Sequence, residues 1–426
     1  MAADTIFALS SGSPPAAIAI VRVSGPAAHR AATALVGSLP PARHAAVREL
    51  RDGGDALLDE ALVLRFDGPA SSTGEDLVEF HCHGGRAVVA AVNAALASID
   101  GLRQAEPGEF TRRAFDNGRI DLTEAEGLAD LIEAETESQR RAALVTAEGG
   151  LRSKIDGWQA GLLQLSARAE AAIDYVDEDL GDADPALSRE CGALAIDLSQ
   201  WLQRPRAEPL REGVGVVIAG PPNAGKSSLL NALSGYDRAI VTPVPGTTRD
   251  HIEVPLALSG VPIRLTDTAG LHKTGELVEQ LGVERARKLV EVADVLVWLG
   301  EPEDAPDHSR LIRVHARADL PERGGTPGGS VAVSSVTGLG LPELSSAIVE
   351  AARAILPSDG EIALNRRQAD CLADARDSLV EAARSTDVAI VAESLRQARA
   401  AFDRLTGRAG VEDLLDALFG RFCLGK

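Results

Sequence analysis

Gly220-Pro221-Pro222-Asn223-Ala224-Gly225-Lys226-Ser227 carries the spacing Gly-x-x-x-x-Gly-Lys-Ser. It follows an apolar run, Val214 to Ala219, and opens a helical pattern from Lys226 to Leu233. That strand-to-helix context gives the spacing its meaning as a phosphate-binding loop. Glycines let successive backbone N–H groups wrap phosphate oxygens, and the helix N-terminus adds positive potential. Asn223, Ala224, Gly225 and Ser228 belong to the cradle, Lys226 reaches the β- and γ-phosphates, and the Ser227 hydroxyl ligates Mg²⁺. Only five of the 43 Lys+Arg residues are lysines, so a Lys in this chain marks a requirement rather than a habit.

Two further segments lie at suitable distances. Asp267-Thr268-Ala269-Gly270 ends a strand pattern, placing Asp267 to hold the Mg²⁺ shell and the Gly270 amide to sense the γ-phosphate. Between them Gly246-Thr247-Thr248-Arg249-Asp250 reads as a switch loop, with Thr248 as the second Mg²⁺ hydroxyl. These three ordered elements favour a GTPase over a generic ATPase. A guanine-reading Asn-Lys-x-Asp is replaced by Ala316-Arg317-Ala318-Asp319. Asp319 still accepts from guanine N1–H and the exocyclic amine, whereas Ala316 supplies no amide and Arg317 keeps the aliphatic packing of a Lys. The Ser334-Ser335 segment stands where a backbone amide meets guanine O6. The expectation is guanine selectivity with weakened affinity. Leu271 occupies the place where Ras-like enzymes carry a water-orienting Gln. Glu279 is one substitute for it, and a monovalent cation beside the phosphates is another.

Around this core the chain reads as multidomain α/β. Residues 1–118 mix strand patterns (Ala17 to Val23, Leu77 to Cys82) with an apolar helix from Ala87 to Ile99, an α+β domain. Residues 119–210 turn helical, starting from a capping box at Thr123-Glu124-Ala125-Glu126. Residues 211–360 alternate strands and helices, which implies a doubly wound, mostly parallel sheet covered on both faces. Residues 361–426 are helical again, so the nucleotide domain reads as an insertion into one helical domain.

The 426 residues carry a net charge of −20, which argues against binding nucleic acid by bulk charge. Cys82, Cys191, Cys371 and Cys423 are scattered with no C-x-x-C, as in a reduced cytosolic protein. No apolar run is long enough to span a membrane, which points to a cytoplasmic chain. His81 and His83 share a strand face, but two ligands without a partner cluster read as structural.

The whole chain resembles the MnmE (TrmE) family of tRNA modification GTPases, within the TrmE-Era-EngA-YihA-Septin-like superfamily. The resemblance rests on Asp4-Thr5-Ile6, Ile20-Val21-Arg22-Val23-Ser24-Gly25, Gly74-Glu75-Asp76, Glu79-Phe80-His81-Cys82-His83-Gly84-Gly85 and the terminal Phe422-Cys423-Leu424-Gly425-Lys426. Its most specific part is Glu106-Pro107-Gly108-Glu109-Phe110-Thr111-Arg112-Arg113-Ala114-Phe115, running into Asn117-Gly118-Arg119-Ile120-Asp121-Leu122. Ser10 to Pro15 replaces the family's Thr-Pro-Pro-Gly turn.

The resemblance implies a K⁺-activated GTPase whose G domains dimerise across their nucleotide faces. Asn223, Thr242, Val244 and Thr247 then ligate K⁺, and Glu279 is the catalytic glutamate that orients water. It implies that residues 1–118 form a dimerisation domain binding 5-formyl-tetrahydrofolate or a related one-carbon folate through Arg22, Glu79, Arg119 and Lys426. Arg119 stands where the family has Lys, a change put down, like Arg317, to the chain's preference for Arg. Cys423 is a candidate for the modification chemistry. The resemblance also implies a homodimer that joins an FAD-dependent MnmG-like protein in a heterotetramer. FAD is held by that partner, which also grips most of the tRNA, and the product is an aminomethyl or carboxymethylaminomethyl group on carbon 5 of the wobble uridine. Two other classes are a ribosome-assembly or other regulatory GTPase, which needs a basic RNA-binding appendage, and a folate-binding module with vestigial GTP turnover.

Overall fold

The computed structural model describes residues 4–174, 184–236, 253–268, 287–409, 412–422 and 424–425. The chain divides into two compact units, Met1–Ala129 with Asp403–Lys426, and Asp130–Phe402.

The first unit is built on six strands, β1 (Thr5–Leu9), β2 (Ile18–Ser24), β3 (Ala46–Arg51), β4 (Leu57–Phe66), β5 (Leu77–His83) and β6 (Leu102–Gln104). They are ordered β3-β4-β5-β2-β1-β6, antiparallel except for the β1–β6 pair. Successive side chains alternate between faces, so Phe7, Val21, Val23, Val63, Val78 and Phe80 enter one core with helices Ala28–Val36 and Arg86–Ala97. Arg22, Glu79 and His81 take the other face, because they sit one position out of phase. Helix Glu412–Phe419 belongs to this unit, and Leu415, Leu418, Phe419 and Phe422 pack with Leu122, Ala125 and Ala129.

Helix Leu122–Glu133 begins two residues earlier than the capping expectation at Thr123. Asp121 Oδ1 accepts from Glu124 N at 2.9 Å, and Glu124 Oε2 accepts from Asp121 N at 2.8 Å. Asp121 is therefore the cap, with Thr123 inside the first turn donating to it at 2.8 Å. Both residue types are good caps, and the reciprocal bonds between Asp121 and Glu124 fix the choice here.

The second unit holds a six-stranded sheet: β7 (Val214–Ala219), β8 (Glu253–Leu258), β9 (Val261–Asp267), β10 (Val295–Trp298), β11 (Leu311–Ala316) and β12 (Ser330–Val333). Its order is β12-β11-β10-β7-β9-β8, all parallel except β8 against β9. Helices Lys226–Tyr236 and Leu341–Arg353 cover one face, burying Val216, Ile218, Ile263, Val297 and Val314 against Leu229, Leu233, Leu344 and Ile348. The expected helical cover of the other face is incomplete. The connections β10–β11 and β11–β12 carry only single turns, Pro302–Asp304 and Pro321–Arg323, and no α-helix. Pro302, Pro306, Pro321 and Pro327 with Gly324, Gly325, Gly328 and Gly329 deny these stretches a helix. Arg313, at mid-strand and opposite in direction to the buried Val314, is exposed as a result.

Helices Glu137–Ala147, Gly150–Asp174, Pro185–Leu202, Glu208–Glu212, Arg366–Arg384 and most of Val388–Thr406 also lie in this unit, with Pro185–Leu202 packed along Arg366–Arg384. Trp158 meets Trp201 edge-on, centroids 5.3 Å apart, and lies 6.2 Å from Phe402. The chain enters and leaves the sheet portion side by side. Arg206 and Leu364 form an isolated parallel bridge, and Ala207 N donates to Leu364 O at 3.1 Å.

Candidate nucleotide and folate sites

Strand β7 is apolar and buried along most of its length, as a strand flanked on both sides must be, and it delivers the chain to Gly220. Gly220 has φ 149°, and a Cβ there would lie 3.2 Å from Leu299, so glycine is required by close approach as well as by conformation. Asn223 at φ 60° and Gly225 at φ 100° bend the loop through the left-handed region, which turns backbone N–H groups inward. The loop ends in helix Lys226–Tyr236, whose N-terminal potential points back into it.

Lys226 is 4% exposed, and its Nζ donates to Gly220 O and Pro221 O at 2.8 Å each. Burial pushes its pKa down and the Asp267 carboxylate opposes that. Asp267, buried at the end of β9 and registered against Ile218, accepts from Ser227 Oγ at 2.5 Å. The two oxygen groups expected around Mg²⁺ thus converge at the mouth of the loop, and hard oxygen donors of this kind suit a hard cation. Ser227, Ser228 and Asn223 are exposed, and Ala224 packs against the sheet core. Thr268 is buried and donates to Ile218 O at 3.1 Å, so its hydroxyl secures the strand end.

On the base side, β11 ends at Ala316 and Arg317 takes φ 61°. The guanidinium of Arg317 does more than lend its stem: Nη2 donates to Asn223 O at 2.6 Å. Asp319 is exposed on the same loop. In the Ser334-Ser335 segment, the first residue is tied into a turn. Ser334 is fully buried, its N–H donates to Leu339 O at 2.9 Å, and its Oγ accepts from Val336 N and Thr337 N. Ser334 thus builds the turn, and Ser335 beside it is half-buried. Thr242, Pro243, Val244, Pro245, Gly246, Thr247, Thr248, Ala269, Gly270, Leu271, Glu279, Cys423 and Lys426 lie outside the described residues.

In the N-terminal sheet, the β2–β5 register sets Arg22 opposite Glu79. Arg22 Nε and Nη2 donate to Glu79 Oε1 at 3.0 and 2.8 Å, and the guanidinium lies 5.6 Å over the Phe110 ring. His81 Nε2 lies 3.3 Å from the other Glu79 oxygen. Arg119 rests its stem on Gly74, where a Cβ would meet Arg119 Cγ at 3.2 Å. Among the described residues its guanidinium forms no ion pair. His83 turns to Asp59 at 2.7 Å, so the two histidines serve different carboxylates. Burial pushes the Asp59 carboxyl up, but hydrogen bonds from the His83 ring and backbone outweigh that and hold it below the usual range.

Two features escape a reading along the chain. His29 lies between Asp67 and Asp76, at 3.5 and 3.4 Å, and Asp67 is also engaged by Arg65 at 2.8 Å. The second is a charge network through the specific Glu106–Phe115 stretch. Arg113, 11% exposed, reaches Glu75 at 3.1 Å, Asp4 at 2.7 Å and Glu109 at 3.1 Å, while Arg103 bridges Glu109 and Asp4. Glu75 in turn accepts from Ser24 at 2.8 Å. Its members are distant in sequence, and only their motifs hinted that they act together.

A mostly parallel sheet with a Gly-x-x-x-x-Gly-Lys-Ser loop, a buried Lys and a Ser–Asp pair at the loop mouth defines a P-loop nucleoside triphosphatase of the GTPase class. A family model described as the GTP-binding protein TrmE N-terminus matches residues 5–119, and one described as the MnmE helical domain matches residues 122–423. The tRNA modification GTPase MnmE of Erythrobacter litoralis is 52% identical over 425 residues, covering 99% of this chain and 100% of that protein. The same-named protein of Rhizorhabdus wittichii is 53% identical over 431 residues, covering 100% and 97%. The chain belongs to the MnmE family of tRNA modification GTPases. Among solved structures, the G domain of the T. maritima FeoB iron transporter is 30% identical, covering 33% of this chain and 98% of that one, with a TM-score of 0.23, too low to bear on the fold.

Proposed function

We propose that this protein hydrolyses GTP to drive modification of tRNA at carbon 5 of the wobble uridine. The carrying observation is the phosphate loop, where a buried Lys226 and the Ser227–Asp267 pair converge on one mouth. Lys226 binds the β- and γ-phosphates, the backbone of Asn223 to Ser228 wraps them, and Asp319 selects guanine. Ser227 and Thr248 would hold Mg²⁺, with Asp267 behind Ser227. Asn223, Thr242, Val244 and Thr247 would hold K⁺, and Glu279 would orient the attacking water. Bound cations supply the charge stabilisation that an arginine finger gives elsewhere.

Residues 1–118 are assigned as the folate-binding and dimerisation domain, 119–210 with 361–426 as the helical domain, and 211–360 as the inserted G domain. The neighbouring ends at Arg206 and Leu364 support the insertion. Arg22, Glu79, Arg119 and Lys426 would hold a one-carbon folate such as 5-formyl-tetrahydrofolate. The set fits in chemistry: guanidinium groups suit the folate carboxylates, and Glu79 suits the pterin edge. Because Arg22 already occupies one Glu79 oxygen, the pterin must share that carboxylate or displace Arg22 from it. Cys423 is assigned to the modification chemistry. The protein acts in the cytoplasm as a homodimer with an FAD-dependent MnmG-like partner that grips most of the tRNA. Among the described residues no helix is long and apolar enough to cross a membrane.

The test measures GTP turnover in matched KCl and NaCl, and wobble uridines from a strain lacking the protein. The expected outcome is a sharp K⁺ stimulation and loss of the carbon-5 modification. Equal rates in the two salts overturn cation activation, and unchanged uridines overturn the tRNA role.

A further inference from the structure

We infer that His81 is a positioning residue of the folate site, holding the Glu79 carboxylate so that one lone pair of Oε2 is open to the pterin while Arg22 stays in place. This rests on the folate reading of the sheet face, and it means that the pterin shares the carboxylate rather than displacing Arg22. Glu79 and His81 stand two residues apart on β5 and so share a face. Strand β5 is paired on both sides. Ile20 and Leu62 lie opposite His81, and Arg22 and Leu64 lie opposite Glu79, which fixes where both side chains start. The Glu79 and His81 side chains are 15% and 23% exposed, so their contact is largely out of water.

Arg22 grips Glu79 by one oxygen only. Its Nε and Nη2 both donate to Oε1, at 3.0 and 2.8 Å, and the guanidinium is held in turn over the Phe110 ring. A carboxylate held through one oxygen still turns about its last torsion, which is soft in Glu. His81 Nε2, 3.3 Å from Oε2, removes that freedom. A carboxylate can only accept, so Nε2 carries the proton in this pair. The two carboxylate oxygens offer about four lone-pair sites between them. Two go to Arg22 and one to His81, so the site left over lies on Oε2. A pterin N–H that takes it breaks no existing bond, whereas a grip on both oxygens would break those from Arg22. A screened acceptor makes the stronger bond, and one already fixed loses less freedom when the ligand arrives. What position 81 needs is a donor. Gln keeps one, while Leu suits the Ile20 and Leu62 neighbours but has none.

The experiment titrates the full chain with 5-formyl-tetrahydrofolate by isothermal calorimetry. Its variants are His81→Leu, His81→Gln, Glu79→Gln, and His81→Leu combined with Glu79→Gln. His81→Leu is expected to bind about tenfold more weakly, and His81→Gln to stay within about threefold of wild type. Because His81 acts through Glu79, His81→Leu is expected to add nothing once Glu79→Gln is present, whereas a merely structural loss would persist on that background. Wild-type affinity in His81→Leu overturns the inference. So does equal weakening by Leu and Gln, or an undiminished tenfold loss on the Glu79→Gln background. If the wild-type protein fails to bind the folate at all, it is the folate reading that fails, and the role of His81 falls with it.

Discussion

Cys82 and Cys191 show how burial governs chemistry at single residues. Burial pushes the Cys82 thiol up to about 12, aided by the nearby Asp59 charge, and the Cys191 thiol up to about 11. Both stay protonated in the folded protein where an unfolded thiol, near pKa 8.5, has begun to ionise. The native state then holds more protons than the unfolded state, so these groups favour unfolding as pH rises above about 8.5. At pH 8, iodoacetamide followed by peptide mass spectrometry is expected to leave both unmodified until denaturant is added. Modification of either in the native protein would contradict their burial. Arg22 and Arg317 teach a related lesson. Each was legible as a cation in a motif, but the geometry of its bond, to Glu79 across the sheet or to the Asn223 carbonyl, was not.

Among the elements, capping explains where helices start. Asn365 and Gln368 form a capping box on helix Arg366–Arg384, with Asn365 Oδ1 accepting from Gln368 N at 2.9 Å and Gln368 Oε1 from Asn365 N at 3.1 Å. This helix packs along Pro185–Leu202, so fraying at its start loosens a helix pair. Asn365→Ala is expected to cost about 1 kcal/mol, read from urea denaturation, while Asn365→Asp stays close to wild type. Equal stability of the Ala variant would remove the cap from the account. Strands with one continuous apolar face, such as β2, β5 and β7, were readable from pattern alone. β3 and β4 were not, because Arg48, Glu49, Asp59 and Glu60 interrupt them, and pairing rather than composition makes them strands. The single turns in the β10–β11 and β11–β12 connections escaped for the opposite reason: alternation suggested helices where proline and glycine forbid them.

For the whole molecule, the chain's last segment returns to the unit in which it began. Phe419 is 2% exposed, its ring lies 6.2 Å from that of Phe115, and its carbonyl crosses above Gly108, where no Cβ would fit. Phe419→Ala is expected to destabilise this unit by about 3–5 kcal/mol in urea denaturation followed by circular dichroism. Leu424→Ala, at a residue 49% exposed, should change stability by less than about 0.5 kcal/mol. Comparable effects from the two would mean the terminal helix is not part of that core. The −20 charge likewise belongs to the molecule rather than to a site, since the cations that matter are held individually by carboxylates or by loop carbonyls.

The sequence by itself determined the phosphate loop, the strand that feeds it, the helix that leaves it and the family. Each of these is a contiguous pattern, and phosphate recognition by backbone N–H groups needs only local geometry. Tertiary structure decided the rest: the register that pairs Arg22 with Glu79, the Arg113 network, the turn built on Ser334, and the bond from Arg317 to Asn223. These contacts join residues far apart in the chain, and one step of register turns a side chain to the opposite face. That choice is made by packing, which local composition does not encode.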